Sequence, residues 1–111
     1  MSSKIVVLPE FAKEVKRLAK KYKQIKADLQ HLSEVLEEDP RTGTALAGNC
    51  YKIRLANSSV PTGKRGGFRV IYCFVDESDD MIYLIAIYSK TEQSNISEEK
   101  IIDILRSNGL V

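Results

Sequence analysis

The chain has 111 residues, 43% of them hydrophobic and 29% charged, with a formal net charge of +2. This length and balance predict one globular domain over residues 1–111 with a real core, and they exclude a two-domain chain. No apolar run approaches the ~20 residues that span a bilayer, and no secretory segment is visible, so we expect a cytoplasmic protein without a membrane partner.

The first third of the chain predicts a strand and two helices. Ile5 to Leu8 form a short apolar strand, and Pro9 suits the first turn of a helix. Apolar residues then recur at helical spacing over residues 11–22 and, after a brief break, over residues 25–36. This pattern predicts a helical hairpin, which ends in the turn residues Asp39 to Gly43.

Three strands are predicted after the hairpin. In the run from Tyr51 to Leu55, apolar positions alternate with Lys52 and Arg54, which predicts one buried face and one basic face. Lys52 and Arg54 should therefore point the same way. The runs Phe68–Val75 and Met81–Tyr88 are the next two strands, and turns between neighbouring strands indicate an antiparallel meander.

A long polar loop is predicted over residues 57–67, and it contains the run from Gly63 to Gly67. Glycines let a backbone approach a ligand closely, while Lys64, Arg65 and the nearby Arg69 supply cations suited to phosphate. Residues 40–75 carry six Lys or Arg and no acid, which predicts a local positive field that attracts phosphates. We therefore expect a polyanion, foremost RNA, as the ligand, with Lys64 and Arg65 as RNA-binding residues.

The C-terminal segment predicts a third helix. Ser97 is a suitable N-cap, Glu98 and Glu99 are first-turn acids, and Gly109 ends the helix. The element order is β, α, α, β, β, β, α, which predicts an α+β domain with helices packed on one face of a sheet.

Two aromatic and two sulfur-containing side chains are assigned from their strand positions. Tyr51 and Tyr72 alternate with their neighbours as core residues do. Cys50 and Cys73 lie in or beside strands, with no His or Cys at metal spacing. The sequence therefore indicates buried reduced thiols and neither a disulfide nor a zinc site.

Three segments, taken in the order of the predicted elements, resemble a known family. The runs Cys50–Leu55, Gly67–Tyr72 and Ile85–Glu92 resemble the RelE/HigB family of toxins from bacterial type II toxin–antitoxin modules. The likeness covers nearly the whole chain, and the run Gly63–Gly67 is similar to an insertion in HigB-type members. The resemblance implies the RelE-like microbial RNase fold: an N-terminal strand and helical hairpin on an antiparallel sheet of about four strands, with a C-terminal helix.

The resemblance also implies a function. Members of this kind are mRNA endonucleases, or mRNA interferases, which cut mRNA in the decoding site of the ribosome and so inhibit translation. The ribose 2′-hydroxyl is the nucleophile, so no metal or cofactor is expected. A cognate antitoxin protein holds such a toxin inactive, and operator DNA is contacted only through the antitoxin.

Catalytic residues are implied by the matched positions. Lys52 and Arg54 match basic active-site positions, and Arg69 matches an arginine that follows an aromatic residue. Neighbouring cations favour the neutral form of a lysine, which makes Lys52 a candidate general base. Arg54 and Arg69 would then clamp the phosphate, because a guanidinium binds two oxygens at once.

The end of the last strand and the segment after it supply the remaining candidates, Tyr88, Lys90 and Glu92, in the Tyr-x-Lys-x-Glu pattern of HigB-type members. Glu92 is either a base or a structural ion pair with Arg69. Tyr88 either packs in the core or stacks on a nucleobase.

Two departures from RelE keep alternatives open. Thr91 stands where RelE has an arginine, and Ser97 stands where RelE uses a tyrosine. One alternative is a ParE-like toxin that inhibits DNA gyrase without nuclease activity. The other is a degenerate member that binds its antitoxin but has lost toxicity.

Overall fold

The computed structural model describes residues 4–61, 67–75 and 80–111. Its α+β architecture confirms the predicted class. The elements in chain order are β1 (Lys4–Val7), α1 (Pro9–Ala19), α2 (Ile25–Glu38), β2 (Thr44–Ala45), β3 (Cys50–Leu55), β4 (Phe68–Val75), β5 (Met81–Ser89) and α3 (Glu98–Ser107).

The strands form one five-stranded sheet in the order β1-β5-β4-β3-β2. The predicted meander of β3, β4 and β5 is confirmed, since both pairings are antiparallel. Two details differ from the expectation. Strand β1 pairs with β5 in parallel, so the sheet is mixed. The short strand β2 adds an edge beside β3, and its two residues are too few to give an alternating pattern in the sequence.

The ends of α3 are set by local signals that the sequence already shows. The Ser97 hydroxyl accepts a hydrogen bond from the backbone N–H of Lys100 at 3.1 Å, which satisfies a free donor of the first turn. At the other end, Gly109 has φ +69°. The Leu110 N–H bonds to the Leu105 carbonyl at 2.9 Å across this glycine, which is the Schellman arrangement.

Helices cover both faces of the sheet, which corrects the expectation of one covered face. Side chains of α1 and α2, such as Phe11 and Leu36, pack with Val70 and Tyr72 in one cluster. Side chains of α3 pack with the alternate strand residues in a second cluster. Every residue of β4 from Phe68 to Phe74 is buried, and consecutive residues of a strand point to opposite faces. Both faces of the sheet must therefore be covered at β4.

Strand β5 contains a β-bulge at Ile85. Ile71 pairs with Ala86, whereas Tyr72 pairs with Leu84, so Ile85 is an extra residue in β5. An extra residue interrupts the alternation of side chains along its own strand, while the pairing with the neighbouring strand continues on both sides of it. Ile85 and Ala86 accordingly both belong to the α3 side of the sheet.

Cys50 and Cys73 form a disulfide between β3 and β4, which makes the expectation of reduced thiols wrong. The two residues are directly opposite each other in the strand register, and their Cα atoms are 4.1 Å apart. Cross-strand register is a long-range property that spacing along the chain does not reveal. The predicted core positions of Tyr72 and Tyr51 are confirmed, and their rings stack 5.3 Å apart.

Candidate active site

Three cationic side chains share the α3 face of the sheet. Lys52 pairs with Ile71 and Arg54 pairs directly with Arg69. Ile71 belongs to the cluster under α3, and cross-strand partners lie on the same face, so all three cations point to that face. The structure therefore brings Lys52, Arg54 and Arg69 together, and it confirms that Lys52 and Arg54 point the same way.

Exposure differs strongly within this group. Arg54 is exposed and Lys52 is half-buried. Arg69 is only 6% exposed, and one of its guanidinium nitrogens donates to the Phe68 carbonyl at 3.3 Å. A buried guanidinium is costly unless it meets acceptors, so Arg69 is held in place more firmly than a surface arginine would be.

Tyr88 stands beside Arg69, because the two residues are cross-strand partners in β4 and β5. The bulge at Ile85 breaks the alternation of β5, so Tyr88 lies on this face although it is four residues after Leu84, which faces α1 and α2. Tyr88 is 2% exposed, which favours the packing role over open stacking in the free protein.

Asn95 joins the cations to the segment that follows β5. Its side-chain oxygen accepts a hydrogen bond from Lys52 Nζ at 3.0 Å, and the Tyr88 hydroxyl lies 3.5 Å from the same oxygen. Sequence reasoning missed Asn95, because it lies in a polar loop without any periodic pattern. No signal in the single sequence singles it out.

The other side of this loop is fixed by hydroxyl groups. Thr91 Oγ1 lies 2.9 Å from Ser89 Oγ, and the Tyr22 hydroxyl lies 3.3 Å from Ser89 Oγ and 3.5 Å from Thr91 Oγ1. Hydrogen bonds from Ser89 first, and then from Thr91, lower the pKa of Tyr22. Thr91, one of the two positions that depart from RelE, thus has a structural role here.

Glu92 forms an ion pair with Arg17 of α1 at 2.9 Å, so the structure pairs it with a different arginine from the expected Arg69. Arg17 also bonds Glu14 at 3.1 Å, and the hydrogen bonds to Glu14 and then Glu92 raise the pKa of Arg17. Lys90 is exposed, and its Nζ donates to the Ser94 carbonyl at 2.9 Å.

The predicted RNA-binding residues Lys64 and Arg65 lie outside the described residues. The chain before them is hydrogen-bonded to α2, because the Asp28 carboxylate accepts from the Ser58 N–H at 3.1 Å. The Gly67 carbonyl, on the far side, accepts from the Lys90 N–H at 3.0 Å.

The described part of the chain contains neither a metal-binding cluster nor a membrane-spanning helix. Residues 4–61, 67–75 and 80–111 hold no group of three or more His, Cys, Asp or Glu placed to bind a metal ion. Over the same ranges, no helix is long and apolar enough to span a bilayer.

Comparison with known proteins identifies the fold. No protein-family model matches this chain. A solved structure of the E. coli toxin RelE, a mutant with two arginines replaced by alanine in the free state, is similar with a TM-score of 0.61 and 18% identity. The match covers 96% of this chain and 98% of that chain, so this protein has the RelE toxin fold.

Proposed function

We propose that this chain is a single-domain, HigB-type toxin of a type II toxin–antitoxin module, acting in the cytoplasm as a ribosome-dependent mRNA endonuclease. The observation that carries the proposal is the pairing of Arg54 with Arg69 across β3 and β4, with Lys52 on the same face. Two arginine side chains on neighbouring strands of one face offer several N–H donors for the oxygens of one phosphate. The RelE toxin fold supports the assignment.

The proposed reaction needs a base, a phosphate clamp and an acid. Lys52 in its neutral form removes the proton of the ribose 2′-hydroxyl, and the 2′-oxygen attacks the neighbouring phosphorus. Arg54 and Arg69 bind the phosphate oxygens as negative charge builds in the transition state. The bond from phosphorus to the 5′-oxygen breaks, and the Lys90 ammonium is the proposed proton donor to that oxygen. The products are a 2′,3′-cyclic phosphate and a 5′-hydroxyl.

Two further roles complete the proposal. The Tyr88 ring contacts a nucleobase once RNA displaces the side chains above it. Of the two roles considered for Glu92, base and structural ion pair, we assign the structural one. Its ion pair with Arg17 holds the segment after β5 against α1.

The test is to induce the chain in a bacterial host and map new mRNA 5′ ends against the reading frame. We expect in-frame cuts in translated messages. A Lys52→Ala, Arg69→Ala variant should lose them, since a general base alone contributes about 10²–10⁴-fold. Arg106→Ala removes an exposed cation from α3 and should cut like the native chain. Thermal melting of each purified variant separates loss of chemistry from loss of folding.

Three results would contradict the proposal. Cutting that persists in the folded double variant would exclude this cluster as the site. Growth arrest with intact mRNA and damaged DNA would indicate a ParE-like inhibitor of gyrase. A native chain that causes no arrest would indicate a degenerate member.

We also propose a cognate antitoxin as the protein partner, which covers the basic face or the exposed helices and contacts operator DNA for both proteins. Affinity capture from the native host should recover a small DNA-binding protein. DNA should shift in a gel only when both proteins are present. Binding of operator DNA by this chain alone would contradict the division of roles.

A further inference from the structure

Asn95 lies on the boundary between two clefts on the α3 face. One cleft, of about 540 Å³, is bounded by α1, by β5 from Ile85 to Tyr88 and by the segment from Gln93 to Ser97. The other, of about 220 Å³, lies between β3 and α3 and includes Lys52. Asn95 lines both clefts, and its side chain reaches Lys52 from the wall that separates them.

The position of Asn95 is fixed on three sides. Its backbone carbonyl accepts a hydrogen bond from Gln93 Nε2 at 2.9 Å. The next residue, Ile96, packs against the apolar cluster under α3. Its side-chain oxygen meets Lys52 Nζ and faces the Tyr88 hydroxyl. A residue held in this way presents its oxygen at a defined point of the site.

The chemistry of the contact suits a lysine that acts as a base. A neutral amine has two N–H donors and one lone pair. When one N–H donates to the Asn95 oxygen, rotation about the terminal bond of Lys52 is restricted and the lone pair points away from Asn95. An amide oxygen carries no net charge, so it orients the amine and favours the ammonium form less than a carboxylate would.

We infer that Asn95 is a positioning residue for Lys52, which aims the lysine lone pair at the ribose 2′-hydroxyl. The inference rests on the proposed function and adds to it the second residue of a Lys52–Asn95 pair. Tyr88 bonds the same oxygen at the longer distance of 3.5 Å and is the minor partner.

The test is single-turnover cleavage of mRNA on programmed ribosomes as a function of pH, at saturating toxin. Asn95→Ala should lower the cleavage rate about 10–100-fold with little change in the concentration for half-saturation, because a misplaced group costs rate more than binding. Asn95→Asp keeps the acceptor but adds a charge that favours the Lys52 ammonium. Its rate should therefore reach half-maximum about 1 pH unit higher than that of the native chain.

Ser94→Ala is the matched control, because Ser94 is the exposed neighbour of Asn95 in the same loop and the substitution keeps the backbone carbonyl that accepts from Lys90. An equal loss of rate in Ser94→Ala, or an unshifted pH profile in Asn95→Asp, would overturn the positioning role. Native rates in Asn95→Ala would do the same. Full cleavage by folded Lys52→Ala would instead contradict the proposed function itself, so the two failures are distinguishable.

Discussion

Gly43 is the residue whose small size matters most in the segment between α2 and β2. A Cβ atom added there would lie 2.9 Å from the Lys52 carbonyl oxygen and 3.1 Å from the Tyr72 hydroxyl oxygen. The first contact is with backbone, which cannot move aside cheaply. The Gly43 N–H also donates to the Tyr72 hydroxyl at 3.1 Å, so any shift strains that bond.

Gly43→Ala should therefore destabilise the fold by about 1–3 kcal/mol, the usual cost of overpacking. Urea unfolding measures the change in the free energy of unfolding. Thr44→Ala, at the exposed next residue, should change it by less than about 0.5 kcal/mol. Equal stability of Gly43→Ala and the native chain would show that the segment can move away from β3.

Arg54 is a residue where function and stability are expected to oppose each other. It faces Arg69 directly across β3 and β4, and like charges in this position destabilise by roughly 0.2–1 kcal/mol. Arg54→Gln should leave the free energy of unfolding unchanged or slightly higher in low salt, while cleavage falls. Arg54→Lys keeps the repulsion but loses the bidentate grip. A clear loss of stability in Arg54→Gln would contradict this assignment.

At the scale of elements, α1 and α3 are linked at their ends by a polar contact. Asn108 Nδ2 donates to Glu10 Oε1 at 3.0 Å and to the Ile104 carbonyl at 2.7 Å. The hydrogen bond from Asn108 is the main cause that lowers the pKa of Glu10 from its ordinary value of 4.5. A lowered folded-state pKa stabilises the fold above the unfolded pKa, and this contribution is lost as pH falls through the folded value.

Asn108→Ala should accordingly destabilise the protein at pH 7, with the Glu10 part below about 1 kcal/mol because solvent screens a surface contact. The difference from the native chain should shrink as the pH falls below 4.5. Urea unfolding at pH 7 and pH 3 measures both. Glu10→Gln cannot titrate, so it is the control that should show no such pH dependence from this site. A difference that is constant with pH would contradict the link.

The disulfide joins two central elements, β3 and β4, across 23 positions of sequence. A cross-link of this separation restricts the unfolded chain and stabilises by about 3 kcal/mol. Reduction should lower the free energy of unfolding, measured by urea titration, by that amount, and a Cys50→Ala, Cys73→Ala chain should not respond to reductant. Thiol titration of the unfolded, unreduced protein should find no free thiol. Two free thiols would show that the bond is not formed.

At the scale of the whole molecule, most elements could be predicted because they rest on local signals. Hydrophobic spacing located α1, α2 and the four longer strands, and Ser97 and Gly109 located α3. Relations between distant segments could not be predicted in this way. The parallel pairing of β1, the second covered face and the Cys50–Cys73 bond all depend on register and layer order.

In the candidate site, too, local patterns were predictable and contacts between distant segments were not. Alternation in β3 placed Lys52 and Arg54 on one face, and the structure agrees. The resemblance to RelE/HigB toxins, and not periodicity, suggested Arg69. The segment after β5 contacts α1 and β3, which are far away in sequence, so the contacts of Glu92 with Arg17 and of Asn95 with Lys52 were not foreseen. Roles in catalysis remain predictions for all of these residues.

The charge distribution of the whole molecule predicts salt-sensitive RNA binding. Each phosphate contact on a single strand adds about −0.7 to the slope of log affinity against log salt. Three cations on one face therefore predict a slope of about −2 or steeper, measured with an uncleavable 2′-deoxy substrate. Arg54→Ala should reduce the magnitude by about 0.7, whereas Arg106→Ala should leave it unchanged. A slope near zero would contradict a phosphate-binding face.

The extra residue in β5 has a consequence for length variation in evolution and engineering. Removing Ile85 would restore simple alternation, because Leu84 and Ala86 already pair with the consecutive residues Tyr72 and Ile71, and Tyr88 would stay opposite Arg69. Removing a regular residue such as Val70 from β4 would instead turn Arg69 toward the helical hairpin. Homologous chains that keep the same surface should therefore lose a single residue at the bulge more readily than at the regular positions of β4.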